Sequence, residues 1–438
     1  MQSLDRTHEP ELRSWVPNSE PGSDFPIQNL PFGSYRSREC ATPRIAVAIG
    51  DFVLDLHNAA VGGAFGSTCT DLVVASDGNL GHLMAAPRDT VCELRHALSA
   101  VLSEGHAKQS VLEQHLVPKG SVEMLLPTRP PDYTDFFSSI HHARNAGEIR
   151  RPGNPLLPNF HHLPVAYHGR PSTVRCSGDS FERPWGQILA QGESTPVHSK
   201  TQWLDFECEV AVWIGQPNRW GQPIKLADAE RHIFGLGLLN DWSARDLQMW
   251  ETQPLGPFLS KNFLTTVSPW IVTLDALAPF RVEAASRAPG TPALLAYLED
   301  EADQRSGGVD LKLSVLLETS AMRQSGTGPE VLSRPNLRDQ YWTIAQMVTH
   351  HTVNGCEMLP GDLLGTGTVS GPSPAELGCL LEMNKCGQVP IRLANGESRM
   401  WLEDGDRVIL KGRCEREGFV PISFGESSAI VADSVARK

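Results

Sequence analysis

Apolar residues in this chain fall mostly into short runs that are rich in β-branched side chains and bounded by turn-forming residues. The 438 residues include 38 Gly and 33 Pro, which separate these runs throughout the chain. Such a pattern is typical of strands joined by turns. Residues 44–56 predict two strands with a tight turn at Gly50 and Asp51. Further strands are predicted at residues 165–167, 204–214, 233–239, 269–274, 311–317 and 407–410.

Helical periodicity occurs in fewer segments than strand-like patterning. Residues 89–116 place one apolar face on a helix, formed by Leu94, Leu98, Val101 and Leu102. Residues 242–250 and 338–350 also follow helical spacing. Strands therefore outnumber helices, and the pattern predicts a mainly β (α+β) fold.

A Pro-rich stretch at residues 127–131 interrupts the pattern after the first helix and indicates a domain boundary. We expect a polar N-terminal arm at residues 1–22, a small domain at residues 23–127 and a larger domain at residues 128–438. Residues 283–308 are rich in Ala, Pro and Gly, and we expect them to form a loop.

Composition and charge limit the classes of partner. The net charge of −13 repels nucleic acid and anionic membranes, and no apolar stretch approaches the length of a membrane helix. The N-terminus is acidic and lacks the apolar core of an export signal, so we expect a soluble, cytoplasmic protein. The nine cysteines are scattered and never spaced as C-x-x-C, which favours reduced thiols over disulfides or thiolate zinc.

Two acids in the predicted strand 204–214 are the first candidates for chemistry. Strand alternation places Glu207 and Glu209 on one face. A solvated outer face would explain them equally well. However, Ala211 and Trp213 continue that face as apolar, which favours a central strand. Adjacent carboxylates in such a strand require a nearby cation.

Other polar candidates are ambiguous when each is taken alone. Asp241 follows an apolar strand and could be a helix N-cap or a metal ligand, and Asp135 could be a turn residue. Three His pairs stand at residues 141–142, 161–162 and 350–351. Residue type and spacing do not choose among them.

Seven segments in a fixed order resolve part of this ambiguity. They are PDYTDFFSSIHHA, LPNFHHLPVAYHGRPSTV, DFECEVAVWIG, HIFGLGLLNDWSARDLQMWE, PLGPFLSKNF, HHTVNGCEMLPGDLLGTGTVSG and LEDGD. In this order they resemble the fumarylacetoacetate hydrolase family, over about residues 24–425. The resemblance implies a small N-terminal SH3-like barrel followed by a C-terminal β-sandwich roll, and a homodimer that acts on a small molecule.

The resemblance also implies roles for individual residues. The metal-site positions, which suit Mg²⁺ or Ca²⁺ because they offer hard oxygen donors, are Asp135, Glu207, Glu209 and Asp241, with Lys261 and Thr265 beside them. The general base is His142 and its orienting carboxylate is Glu382. The catalytic set that stabilises an oxyanion is Arg245, Gln248 and Lys261. The substrate-binding positions are Phe137, Arg151, Tyr167, Gln248, Thr252 and Thr368.

The activity implied is hydrolysis of a carbon–carbon bond in a 1,3-diketo acid, namely fumarylacetoacetate to fumarate and acetoacetate in tyrosine and phenylalanine catabolism. An alternative is a related enzyme of specialised metabolism that acts on another β-keto compound by hydrolysis, decarboxylation or other C–C bond chemistry. A non-catalytic homologue is disfavoured, because a protein released from catalysis has no physical reason to bury four acids.

Three positions depart from the family pattern. Phe137 and Thr252 stand where the family has Tyr, and Leu264 stands where it has Gly. The loss of two phenolic hydroxyls removes hydrogen bonds to polar ends of a substrate. We therefore expect altered substrate recognition, with a bulkier or less polar β-diketo acid favoured over fumarylacetoacetate.

Overall fold

The computed structural model describes residues 4–38, 41–76, 78–190 and 192–432. Parts of the predicted arm and of the predicted larger domain, residues 1–3 and 433–438, lie outside the described residues, as does Cys40. The fold is mainly β, with two five-stranded sheets, one eight-stranded sheet and four two-stranded ribbons among the described residues.

An N-terminal sheet is built from the first strands of the chain. Its five strands lie in the order Leu116–Pro118, Phe52–Asp55, Arg44–Ile49, Phe32–Ser37 and Val122–Leu125. The segment 116–125 pairs with both Phe52–Asp55 and Phe32–Ser37, so one short stretch of chain contacts two strands on either side of Arg44–Ile49. This pairing requires a strongly curved sheet. The predicted turn at Gly50 is confirmed, and its φ of +53° is a conformation that glycine adopts readily.

The central sheet positions the candidate site. Its strands lie in the order Ala166–His168, Tyr133–Phe136, Leu363–Gly365, Cys208–Ile214, Ile233–Asp241, Thr265–Val267 and Val174–Cys176, with Val272–Thr273 also paired to Ile233–Asp241. Every residue of Cys208–Ile214 and Ile233–Asp241 is buried. The prediction of a central strand is therefore confirmed for Cys208–Ile214, and the solvated outer face is wrong.

A C-terminal sheet covers the other side of the core. Its order is Glu330–Ser333, Lys312–Glu318, Arg407–Cys414, Ile422–Val431 and Ser180–Phe181. The ribbons pair Trp185–Ile188 with Val197–Lys200, Leu204–Asp205 with Ser243–Ala244, Arg281–Val282 with Gly308–Val309, and Ile391–Arg392 with Ser398–Arg399.

Helices are more numerous than the pattern predicts. They are Leu56–Val61, Ser67–Ala75, Gly81–Ala85, Arg88–Leu102, Gln109–Leu112, Ile140–Arg150, Arg245–Glu251, Glu301–Ser306, Ser320–Ser325, Ile344–Thr352 and Leu380–Met383. Most of the additional ones have fewer than ten residues, which is too short for a clear apolar period.

Three predicted segments require correction. The helix predicted at 89–116 ends at Leu102, because the chain reaches Gly105 with a φ of +76° soon afterwards. The helix predicted from 338 begins only at Ile344, where Thr343 and Gln346 form a capping box. The predicted loop 283–308 contains the helix Glu301–Ser306, which begins after the N-cap Asp300.

The hydrophobic core is continuous across the expected boundary at residues 127–131. One cluster of buried side chains joins Phe32 and Leu94 to Trp213 and Phe234 of the central sheet. A second cluster packs Trp270 against Phe25 of the N-terminal part, with ring centroids 5.6 Å apart. The two parts of the chain are therefore packed as neighbours.

The stretch 4–22, expected to be an arm, packs against the helix Arg88–Leu102. The indole nitrogen of Trp15 donates a hydrogen bond to the carbonyl of Val101 at 3.0 Å. His8 is buried and its Nε2 lies 2.8 Å from the carbonyl oxygen of Asp275. Polar residues in this stretch thus satisfy backbone groups of the folded body.

The cysteines that the structure describes are all free thiols, as predicted. Among the described residues, the search for a helix both long and apolar enough to cross a membrane finds none.

Trp270 provides a test of the packing between the two parts of the chain. We expect Trp270→Ala to lower the free energy of unfolding by about 3–5 kcal/mol, because it removes a buried indole and leaves a cavity. Denaturant unfolding measures this change. The control is Trp220→Ala, whose ring is 82% exposed and should shift stability by at most about 0.5 kcal/mol. Equal effects of the two variants would contradict the packing argument.

Candidate active site

Four acids from three segments of the chain meet in the interior of the protein. Asp135 lies in the strand Tyr133–Phe136, Asp241 ends the strand Ile233–Asp241, and Glu209 lies in Cys208–Ile214, with Glu207 just before it. A carboxylate oxygen of each lies within 4.8 Å of one from every other. All four side chains are buried. We call these four residues the carboxylate cluster.

Two cations compensate one side of the carboxylate cluster. Lys261 Nζ lies 2.8 Å from Glu207 Oε2 and 2.5 Å from Asp241 Oδ2. Arg245 Nη1 lies 2.6 Å from Glu207 Oε1. Burial alone would raise the pKa of Glu207, but Lys261 and Arg245 hold it below its ordinary value. Glu207 is therefore the member of the cluster whose negative charge is most directly compensated.

On the other side of the cluster, no cation among the described residues forms an ion pair with Asp135 or Glu209. Burial raises the pKa of Asp135 and of Glu209 well above the ordinary values, and the charge of Asp241 raises both further. Asp135 Oδ1 and Glu209 Oε1 are buried and have no hydrogen-bond partner among the described residues. Two unpaired hard oxygens in a cluster of acids match the ligand preference of a hard divalent cation. The carboxylate cluster could therefore bind a metal.

Sheet register explains how the cluster forms. Asp135 stands opposite Gly365 on one neighbouring strand and Tyr167 on the other, while Asp241 stands opposite Thr265. The hydroxyl of Tyr167 donates to Asp135 at 2.8 Å and also lies 3.0 Å from Asp241 Oδ2, and Thr265 donates to Asp241 at 3.3 Å. A Cβ at Gly365 would lie 2.5 Å from Asp135 Oδ1, so glycine is required there.

A second polar pair lies beside the cluster. His142 Nδ1 lies 2.8 Å from Glu382 Oε2. Glu382 also accepts hydrogen bonds from Asn145 at 2.8 Å, Ser370 at 2.8 Å and the thiol of Cys379 at 3.2 Å. Burial alone would raise the pKa of Glu382, but His142 and these donors lower it to about 2. Glu382 is therefore an ionised orienting group for the imidazole.

Asp205 connects the two polar groups, and the sequence analysis missed it. Its carboxylate accepts from Arg245 Nε at 2.9 Å. It also accepts from the backbone amides of Leu380 and Leu381, at 2.8 and 3.0 Å, in the first turn of the helix that carries Glu382. Asp205, Glu207 and Glu209 alternate along the chain, so the same period of two that paired the glutamates could have found it.

One cavity of about 400 Å³ opens onto both groups. Its wall includes the candidate residues Asp135, Phe137, His142, Arg151, Tyr167, Glu207, Arg245, Gln248, Thr252, Lys261 and Thr368. The candidates Glu209, Asp241 and Glu382 are not part of the wall but contact residues that are. Thr265 lies one contact further away, because its hydroxyl bonds to Asp241. The structure thus brings the candidate residues of the sequence analysis together around one cavity.

The candidate substrate contacts differ in their bonding. Arg245 Nη1 donates to Gln248 Oε1 at 3.1 Å, as their spacing of three residues on a helix predicts. Thr252 ends that helix and donates to the carbonyl of Gln248. The ring of Phe137 meets the His142 imidazole edge-on, with centroids 5.2 Å apart. Thr368 Oγ1 is buried with no partner among the described residues.

The structure decides between roles that the sequence left open for Asp241 and Asp135, and it shows where Leu264 lies. Asp241 is not an N-cap, because the next helix begins at Arg245 after Ala244 and has no side-chain cap. Asp135 is not a turn residue, since it lies within a strand. Leu264 does not line the cavity, and its side chain belongs to the hydrophobic core instead.

The remaining histidines have other partners. His161 Nδ1 lies 2.9 Å from the Tyr341 hydroxyl, His350 Nδ1 lies 3.0 Å from the Tyr297 hydroxyl, and His351 Nε2 lies 2.9 Å from Thr134 Oγ1. Of the three His pairs, only the pair at residues 141–142 contributes a ring to the cavity, through His142.

Models of two protein families match most of the chain. Residues 133–423 match the family described as "Fumarylacetoacetate (FAA) hydrolase C-terminal", and residues 28–127 match "Fumarylacetoacetase N-terminal". Among solved structures, the fumarylacetoacetate hydrolase of Exiguobacterium antarcticum superposes with a TM-score of 0.51 at 17% identity, covering 92% of this chain and 100% of its own. At that identity, the likeness shows a shared fold.

Curated relatives are similar over nearly the whole chain. Fumarylacetoacetase of Oryza sativa subsp. japonica is 46% identical, covering 94% of this chain and 96% of its own. The enzyme of Arabidopsis thaliana is 46% identical over 97% of this chain and 99% of its own, and that of Homo sapiens is 42% identical over 95% and 98%. On these matches, the chain belongs to the fumarylacetoacetate hydrolase family.

Proposed function

We propose that this chain hydrolyses fumarylacetoacetate to fumarate and acetoacetate, in the breakdown of tyrosine and phenylalanine. Full-length relatives that carry the name fumarylacetoacetase support this activity. The observation that carries the proposal is one cavity reached by both a buried carboxylate cluster and a His–Glu pair. A metal held by the carboxylate cluster would bind a diketone, and the His–Glu pair can activate water.

His142 is the general base in this proposal. Its Nδ1 is held by Glu382, which leaves Nε2 to take a proton from water. The resulting hydroxide adds its oxygen to a keto carbon of the substrate. The negative charge of Glu382 stabilises the imidazolium that forms.

The carbon–carbon bond then breaks, and its electron pair leaves with the acetoacetate carbon, which takes up the proton that His142 removed from water. A carbanion is a poor leaving group, so its charge must be neutralised in a site that excludes bulk water. A divalent cation held by Asp135, Glu207, Glu209 and Asp241 would supply positive charge to the two keto oxygens. Lys261 Nζ is buried, and Glu207 and Asp241 hold its pKa above the ordinary value, so it contributes a fixed positive charge.

Ends of the substrate bind elsewhere on the wall. Arg151 is a fork-shaped donor whose Nε is buried and unpaired among the described residues, which fits a carboxylate. Gln248, Tyr167 and Thr368 offer neutral hydrogen bonds. Mg²⁺ and Ca²⁺ are the cations we propose, because every ligand atom is a hard oxygen.

The proposal includes the remaining features implied by the resemblance. The curved N-terminal sheet is an SH3-like barrel, residues 23–127 and 128–438 are the two domains, and the larger domain is a β-sandwich roll. Two chains form a homodimer in the cytoplasm. Light scattering of the purified chain measures its molar mass and therefore tests the dimer. Exposed apolar side chains near the cavity, such as Leu255 and Leu259, are available for such an interface.

The function is tested by assaying the purified chain with fumarylacetoacetate. We expect release of fumarate and acetoacetate, and we expect His142→Ala to lower kcat by about 10²- to 10⁴-fold. Glu382→Gln should lower it less, because the base remains but loses its orienting charge. The matched control is His141→Ala, since His141 is half-buried and does not line the cavity. A folded His142→Ala chain with the wild-type rate would assign the base to another group.

Metal removal is expected to lower stability as well as activity. A cation that binds only the folded cluster stabilises it by about 2.7 kcal/mol at a hundredfold excess over Kd. Calorimetry of the chelator-treated chain should therefore show a Tm that rises when Mg²⁺ or Ca²⁺ is added.

A pair of variants locates that effect. Glu209→Gln removes one charged ligand and should reduce the metal-dependent rise in Tm, whereas Glu417→Gln, at an exposed position, should retain it. The ligand assignment is wrong if both variants respond to metal as the wild type does.

Phe137 and Thr252 line the cavity and favour the second candidate function, which is related chemistry on another β-keto acid. If the missing hydroxyls limit recognition of fumarylacetoacetate, Phe137→Tyr with Thr252→Tyr should raise its kcat/KM by about 5- to 150-fold. Phe258→Tyr, at a ring 67% exposed outside the cavity wall, is the control. No gain from the double variant, together with fast wild-type turnover, would leave fumarylacetoacetate as the substrate and the two changes as neutral.

A further inference from the structure

A single helix forms one wall of the cavity. Ile140–Arg150 presents His142, Ala146, Ile149 and Arg150 to it, at the spacing of one helical face. His142 and Arg150 are separated by eight residues, which is about 12 Å along the helix axis. The general base therefore stands at one end of this wall and an arginine at the other, with small or apolar side chains between them.

The guanidinium of Arg150 has no ion pair or hydrogen bond with any residue that the structure describes. Arg151, which follows it, also lines the cavity, and the only described hydrogen bond of its side chain goes to the carbonyl of Pro155, at 2.7 Å. Burial lowers the pKa of Arg150, and the nearby charges of Arg245 and Arg151 lower it further. This part of the cavity thus has an excess of positive charge.

Arg150 is the last residue of its helix, and this position alone could explain why an arginine is found there. Arginine in the last helical turn interacts favourably with the helix dipole, wherever its side chain points. That explanation applies equally to an arginine on the solvent side of the helix. It does not account for a second guanidinium beside Arg151 on the cavity wall, where the two charges repel each other.

We infer that Arg150 is a specificity-determining residue, which binds the substrate carboxylate remote from the carboxylate cluster and so selects a dicarboxylic 1,3-diketo acid. The inference rests on the proposed hydrolase function. Arg150 is partly exposed and lines the cavity, where it can meet the charged end of a substrate. The apolar wall between Arg150 and His142 suits the uncharged middle of such a molecule.

Kinetics with two matched substrates test the inference. One is fumarylacetoacetate, and the other is its analogue with a methyl group in place of the fumaryl carboxylate. Wild type should prefer the dicarboxylate, and Arg150→Gln should reduce this preference about ten- to a hundredfold, mainly through KM, because one charge-assisted hydrogen bond is lost. Arg150→Lys should restore part of it. Arg144→Gln removes the same charge from an exposed position of the same helix, outside the cavity wall, and should keep the wild-type preference.

A binding measurement separates this inference from the proposed function. Calorimetry with fumarate and with crotonate, in the presence of Mg²⁺, compares two acids that differ by one carboxylate. Wild type and Arg144→Gln should bind fumarate more tightly than crotonate, and Arg150→Gln should lose most of that difference. This arm remains decisive if wild type hydrolyses neither diketo acid, an outcome that would reject the proposed function alone. An Arg150→Gln chain with the wild-type preference for fumarate would overturn the inference.

Discussion

The site depends on one constraint: more acidic than basic side chains are buried together around the carboxylate cluster. Five buried acids, namely Asp135, Asp205, Glu207, Glu209 and Asp241, share two buried cations, Lys261 and Arg245. An isolated charge in a protein interior is strongly unfavourable, so carboxylates beyond the reach of a cation bind protons more tightly. The raised pKa values of Asp135 and Glu209, which no cation pairs among the described residues, follow from this deficit. A divalent cation in the cluster would remove it.

The central sheet makes this arrangement possible. Strands buried on both faces exclude water from the cluster, and their backbone groups are satisfied by their neighbours. Because water does not screen them, Lys261 and Arg245 attract the carboxylates strongly. The paired strands also fix the positions of the four acids relative to one another. Glycine at 365 leaves room for two carboxylate oxygens, and Gly367, with a φ of +75°, donates its amide to Glu209 at 3.0 Å.

Asp205 links the carboxylate cluster to the His142–Glu382 pair. It ties Arg245, on the side of the cluster, to the first turn of the helix Leu380–Met383, which holds Glu382 against His142. A shift of that short helix would therefore disturb both the contact of Glu382 with His142 and the contact of Asp205 with Arg245. The walls of the cavity between these groups are largely apolar, as in most sites for small molecules, so a few charged side chains at its ends decide what it binds.

The mainly β fold, the family and most candidate site residues could be predicted from the sequence. Strand alternation paired Glu207 with Glu209, and the order of the seven motifs indicated the family and, through it, the other candidate residues. Local pattern could not decide between an exposed and a buried acid, or between an N-cap and a ligand at Asp241. Those outcomes depend on partners far along the chain, such as Glu382, which lies 240 residues from His142. Short helices, the link through Asp205, the core position of Leu264 and the unpaired Arg150 were likewise decided only by tertiary structure. The physical reason is that burial and charge pairing arise between segments, whereas sequence periodicity reports only how each segment divides its own faces.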